Sequence, residues 1–174
     1  MFLILEIINI LLWLILVKCF TFVRFIYWTM NGTYHHIQKT YNETSYTGTV
    51  QVLRIRMRYK FDVISQPSSE NNFIATHHSF ENPEYLLSDN VSLYSVTKTK
   101  AIFIEVNGDI NVSNSDFGVF FRQAQFAHAW KIIIVPMRVF HKMADRIGAP
   151  EGKLIFVSQT SRCGSTLLTQ VRSL

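Results

Sequence analysis

The chain has 174 residues, 48% of them hydrophobic, and a formal net charge of +5. A mean hydropathy of +0.15 is apolar for a soluble protein and points to a membrane segment or a large buried core. The charge is less than nucleic-acid binders usually carry, so no nucleic-acid partner is expected, and two cysteines, Cys19 and Cys163, build no disulfide framework.

The apolar excess lies at the start. Residues 1 to 17, MFLILEIINILLWLILV, carry one charge, Glu6, and an aromatic continuation runs to Trp28 and Met30. A bilayer core needs about 20 apolar residues as helix, and residues 2 to 23 meet that if Lys18 snorkels to the headgroups. There is no basic leader and no small-residue cut site, so the expectation is an uncleaved anchor over 1–30 in a single-pass membrane protein of the Golgi or another secretory-pathway membrane. Lys18 and Arg24 favour a cytosolic C-terminal side. Four Asn-x-Ser/Thr sequons, at Asn31, Asn42, Asn90 and Asn111, favour a lumenal side and are the glycosylation candidates.

Residues 31–49 are polar and turn-rich and read as a stalk. From Val52 to Val63, the apolar Leu53, Ile55, Met57, Tyr59, Phe61 and Val63 alternate with Arg54, Arg56, Arg58, Lys60 and Asp62, the period of a strand with one buried face. The basic residues form a ridge that suits anionic partners or, more simply, a solvated face that keeps other sheets away. Shorter strands are expected at Phe73–Phe80 and Tyr85–Tyr94, and Ala101–Val106, Asn107-Gly108 and Asp109–Val112 read as a hairpin. Together these make a small antiparallel β module over 50–113.

Residues 114–149 read as a kinked helical connector. Phe117, Phe120, Phe121, Ala124, Ala127 and Trp130 or Lys131 fall at helical spacing, and the helix is expected to run through KIIIV to Pro136. A second helix, Met137–Ile147, is closed by Gly148 and Pro150, with the stripe Phe140, Met143, Ala144 and Ile147 towards the core. The pairs His35-His36 and His77-His78, and the single His128 and His141, lack ligand spacing, so no metal is expected.

The last segment, 150–174, carries the chemistry. KLIFVS, residues 153–158, reads as a buried strand, and helical composition begins at Gly164. Strand, loop and helix in that order aim free amides and a helix dipole at one point, an anion site. Gly164 permits close approach, Arg162 supplies a charged planar fork, and Ser165 and Thr166 add hydroxyls. The loop lacks the first glycine and the lysine of G-x-x-x-x-G-K-[ST].

Ser161-Arg162-Cys163-Gly164-Ser165-Thr166-Leu167-Leu168 resembles the 5′-phosphosulfate loop of the sulfotransferase family, written P-K-S-G-T-T-W-L or R-x-G-S-T-L-L. The resemblance implies the first βα unit of a P-loop-type α/β domain and 3′-phosphoadenosine 5′-phosphosulfate as sulfate donor. It implies that Ser161, Arg162, Cys163, Gly164, Ser165 and Thr166 bind the donor, with Arg162 the catalytic cation beside the transferring sulfuryl group. The family's 3′-phosphate site and much of its acceptor pocket have no counterpart, so the chain reads as truncated and inactive or nearly so by itself; the acceptor is unknown.

The expected fold class is therefore α+β / α/β: a transmembrane helix, a small antiparallel β module, a kinked helical connector and the start of a sulfotransferase-like α/β domain. The expected function is a membrane-anchored sulfotransferase-like protein. The alternative is a non-catalytic membrane-tethered interaction module with a vestigial anion loop; thiolate chemistry at Cys163 ranks third.

Overall fold

The computed structural model describes residues 2–42, 49–62, 66–107 and 121–148. In chain order they form α1 (Phe2–Met30), α2 (Thr33–Asn42), β1 (Val50–Arg58), β2 (Phe73–Glu81), β3 (Val91–Val96), β4 (Lys100–Val106), α3 (Phe121–His128), β5 (Ala129–Pro136) and α4 (Met137–Ile147). Single 3-10 turns stand at Glu70–Asn72 and Pro83–Leu87. The P-loop-type unit expected at 150–174 lies outside the described residues.

One five-stranded sheet organises the fold, in the order β2-β1-β5-β4-β3, with every neighbouring pair antiparallel. Its centre is β5, and this corrects the helical connector expected from the sequence. The helix ends at His128, and Ala129–Pro136 is a strand. Ile132, Ile133, Ile134 and Val135 are all buried because layers cover both sheet faces. β-branched side chains fit a pleated, two-sided core better than the crowded turns of a helix. Pro136 closes the strand and also precedes α4, where a missing amide hydrogen is harmless.

One face of the sheet, built from Leu53, Phe73, Ile102, Ile104, Ile132 and Ile134, packs against Phe126 of α3, Trp28 of α1, and Tyr34 and Ile37 of α2. The other, with Val50, Val52, Phe103, Ile133 and Val135, packs against Val139 and Met143 of α4 and Leu86. Of the stripe expected on α4, Met143 is buried and Phe140 half-buried, whereas Ala144 and Ile147 are exposed. Gly148 ends α4 at φ 80°, a value that favours glycine.

The stalk expected at 31–49 contains a helix, α2. Gly32 at φ 77° lets the chain turn back after α1, the Asn31 side chain accepts from the Thr33 amide at 3.3 Å, and Tyr34 and Ile37 supply the apolar contacts. The strand expected at Tyr85–Tyr94 begins only at Val91, after the turn that Pro83 opens. β4 pairs with β3 on one side and β5 on the other, and the Asp109–Val112 strand expected after Asn107-Gly108 lies outside the described residues.

The basic ridge of β1 is also corrected. The pairing steps from Ile55–Ala75 to Met57–Ile74 and leaves Arg56 as an extra residue. A bulge of one residue exchanges the faces of everything beyond it. Met57 and Phe61, expected inside, are each 53% exposed, and Lys60, expected outside, is 7% exposed.

α1 is long and apolar enough to cross a membrane. Its 29 residues span about 43 Å at 1.5 Å per residue, more than the ~30 Å of a hydrocarbon core. One stripe of it faces the sheet domain. The Trp13 indole donates to the Asn71 carbonyl at 3.0 Å and its ring lies 5.3 Å from that of Tyr59; Arg24 donates to the Ala75 carbonyl and pairs with Glu70 at 3.6 Å; Trp28 enters the core. The remaining surface, including Leu11, Leu12, Ile15, Phe22 and Val23, is exposed.

Candidate functional site

The donor-binding loop expected at Ser161, Arg162, Cys163, Gly164, Ser165 and Thr166 lies outside the described residues, as does Asn111. Asn31 is exposed in the turn after α1, and Asn42 is the last residue of α2. Asn90 is half-buried in the turn before β3, where its carbonyl accepts from the Val106 amide at 3.1 Å.

The described residues concentrate unusual chemistry where β1 ends. The Tyr59 amide donates to the Asn72 carbonyl at 2.9 Å, which fixes the strand end against the 3-10 turn. That turn carries a reciprocal cap: the Ser69 hydroxyl accepts from the Asn71 amide at 3.3 Å while Asn72 Oδ1 accepts from the Ser69 amide at 2.7 Å. The Tyr94 hydroxyl donates to the same Oδ1 at 3.3 Å. Burial pushes the Tyr94 phenol up to about 12.

Between these groups and α3 sits Lys60. Its ammonium lies 5.4 Å from the Tyr94 ring centroid and 5.1 Å from that of Phe126, and it has no hydrogen-bond partner. Burial, and then the positive charge of Arg122, push its pKa down. The nearby Arg58 serves structure: its guanidinium donates to the carbonyls of Phe126 and Ala129 at 2.9 Å each, and to that of Ala127, joining α3 to β5.

On the opposite face, Glu105 of β4 stands directly across from Lys131 of β5. Lys131 Nζ donates to both carboxylate oxygens, at 3.0 and 3.2 Å, and to the Tyr85 hydroxyl at 3.0 Å; Tyr85 in turn donates to Glu105. Arg54, paired across the sheet with Lys131, turns its guanidinium onto the Trp130 ring, 4.5 Å from the centroid.

Histidines from α2 and β2 meet around Phe80. The ring centroids of His36 and His77 lie 4.3 and 4.6 Å from that of Phe80, and the edge of Trp28 faces His77 at 6.2 Å. Among the described residues no group of three His, Cys, Asp or Glu is placed to hold a metal. Burial, followed by the charges of His78 and His36, lowers the His77 pKa. With the folded value below the unfolded one, His77's contribution to stability is present above the unfolded pKa of about 6.5 and is lost as pH falls through the folded value. Thermal melts from pH 8 to 5 will show this loss, and His77→Gln will flatten it.

The period-two reading of β1 concealed Lys60, because no residue type marks the bulge at Arg56. Asn72 and Tyr94 gave no local signal either, since Asn72 ends the polar run SQPSSENN and Tyr94 stands in the mixed stretch VSLYSV. Comparison of the chain with protein-family models, with curated proteins and with solved structures found no match.

Proposed function

We propose that this chain is a membrane-anchored protein of the sulfotransferase type, with α1 as the anchor and the 161–166 loop as the cradle for the phosphosulfate of 3′-phosphoadenosine 5′-phosphosulfate. The observation that carries the reading is the run KLIFVS followed, after Gln159 and Thr160, by Ser161–Leu168, an apolar strand pattern leading into a glycine, a fixed cation and two hydroxyls. In this reading Arg162 and the loop amides neutralise charge that builds on the leaving phosphate while an acceptor oxygen attacks sulfur. The acceptor oxygen forms the new S–O bond and its proton passes to solvent, the bridging S–O bond breaks, and 3′-phosphoadenosine 5′-phosphate leaves with its electron pair.

The membrane part rests on the apolar length of α1. Trp13 lies near the middle of residues 2 to 23, so spanning requires the first half of α1 to leave its contacts with Tyr59 and Asn71. The contacts of Arg24 and Trp28 then hold the domain at the bilayer surface.

Titration of the full chain in detergent micelles with 3′-phosphoadenosine 5′-phosphate tests the proposal. Saturable binding that weakens at least tenfold in Arg162→Ala is the expected result, since one charge-assisted contact to phosphate is worth about 1.5–3 kcal/mol. Equal affinity in the two proteins, or no binding at millimolar ligand, refutes it. A second reading, a membrane-tethered interaction module, is favoured by the closed two-faced core formed by residues upstream of the loop, and the second of those outcomes selects it.

A further inference from the structure

We propose that Arg54, Arg56, Met57, Phe61 and Trp130 form a docking surface for a bilayer carrying anionic headgroups, a surface that rests on the membrane reading of α1 and not on the 161–166 loop. The direction is set by α1. Trp28 faces His77, Arg24 donates to the Ala75 carbonyl and Trp13 to that of Asn71, so the helix, followed towards its N-terminus, runs back along β2 to the end where β1 stops. Residues 2–12 continue beyond Trp13 by about 16 Å. When the first half of α1 leaves Tyr59 and Asn71 for the bilayer, the contacts of Arg24 and Trp28 keep this end of the sheet turned towards the membrane.

Two bulges stand on neighbouring strands at that end. Arg56 is the extra residue of β1 between the pairs Ile55–Ala75 and Met57–Ile74, and Trp130 is the extra residue of β5 between Lys131–Glu105 and Ala129–Val106. A bulge re-aims the side chain it inserts. Here the Arg54 guanidinium lies over the Trp130 ring, Arg56 donates to the Thr76 hydroxyl at 3.1 Å, and Met57, Phe61 and Trp130 are exposed. Among the described residues neither guanidinium pairs with a carboxylate, whereas the neighbouring Lys131 is taken up by Glu105. Two arginines beside exposed tryptophan, methionine and phenylalanine match the headgroup region of a bilayer. Tryptophan favours that region, and an arginine can lay its stem on apolar surface while its planar head meets phosphate. An acidic polysaccharide or peptide would answer the charges but leave Met57 and Phe61 in water, and α1 brings neither of them to this end.

The experiment places the full chain in lipid nanodiscs of phosphatidylcholine, alone or with about a third phosphatidylserine, whose acyl chains are brominated near the headgroup to quench tryptophan. The contribution of Trp130 is the difference between the parent and Trp130→Phe, which removes it from the signals of Trp13 and Trp28. Quenching of Trp130 is expected in the phosphatidylserine discs and at least threefold less in phosphatidylcholine alone. Salt at about 1 M, where the Debye length is about 3 Å, is expected to abolish the difference. Arg54→Gln with Arg56→Gln is expected to dock about thirtyfold more weakly and to give the phosphatidylcholine level in both discs. Lys98→Gln, in the exposed turn at the opposite end of the sheet, is expected to behave as the parent. Equal quenching in the two lipids, quenching unchanged in the double arginine variant, or an equal loss in Lys98→Gln overturns the proposal. A chain that stays with the discs while Trp130 is unquenched overturns the docking surface and leaves the anchor standing; a chain that separates from the discs overturns both.

Discussion

Ile132→Ala and Ile133→Ala will each lower the unfolding free energy by about 3 kcal/mol, and the double variant will fail to fold. The two side chains are adjacent in sequence and 1% and 0% exposed, because successive residues of β5 enter opposite cores. Each replacement deletes most of a side chain from a layer in which strands on both sides hold the backbone in place. The cavity therefore collapses little, and the cost falls near the middle of the range for buried isoleucines. A helix through KIIIV with the stripe Phe121, Ala124, Ala127 and Lys131 gives another outcome. Ile133 then lies off the stripe and its replacement costs within about 0.5 kcal/mol, whereas Ile132, three helical turns on from Phe121, stays on it and its replacement remains costly. Denaturant midpoints of the two single variants separate the alternatives, with an unchanged slope showing that stability and not compactness has moved.

The comparison of sequence with structure turns on these same residues. Period-two alternation marked β1 through Arg54, Ile55, Arg56, Met57 and Arg58, although its first half is buried on both faces, and Gly148 marked the end of α4 because few other residues accept φ 80°. β5 was illegible as a strand by periodicity, since an apolar run covered on both faces has no period to read. Its four β-branched residues were the remaining signal, and the apparent helical spacing upstream, real in Phe121–His128, concealed it. α2 is short and polar, and among the described residues Tyr34 and Ile37 pack it against the core, so packing decides its existence more than propensity does. The Lys60 site depends on a one-residue bulge and on rings contributed by β3 and α3, long-range facts that no local pattern carries. The proposed 161–166 loop is the reverse case: its reading rests on eight consecutive residues, 161–168, that lie outside the described structure.

Glu105→Ala will cost about 2–4 kcal/mol, more than the double replacement Glu105→Ala with Lys131→Met. The carboxylate accepts from both Lys131 and Tyr85, and the side chains of Lys131 and Glu105 retain only 15% and 12% exposure. Removing Glu105 leaves an ammonium with the Tyr85 hydroxyl as its one acceptor in this trio and deprives that hydroxyl of its own acceptor. Removing the ammonium as well replaces an uncompensated charge with a flexible apolar side chain over Tyr85, and part of the loss returns.

The pH dependence separates this account from simple loss of packing. Burial by itself would lower the Lys131 pKa, but its bonds to Tyr85 and Glu105 outweigh that and hold it above the ordinary value. Burial, and then the bond to Glu105, raises Tyr85. Both folded values lie above the unfolded ones, so the stabilisation is fully present below about pH 10 and is lost as pH rises through the folded values. Lys60 has the opposite sign, since its lowered folded value makes stability rise with pH up to its unfolded pKa of about 10.5. Wild-type protein will therefore lose stability above pH 10, and Glu105→Ala, lacking the bonds that raise Tyr85 and Lys131, will show a shallower loss from a lower starting point. Parallel alkaline limbs for the two proteins would assign Glu105 a packing role only.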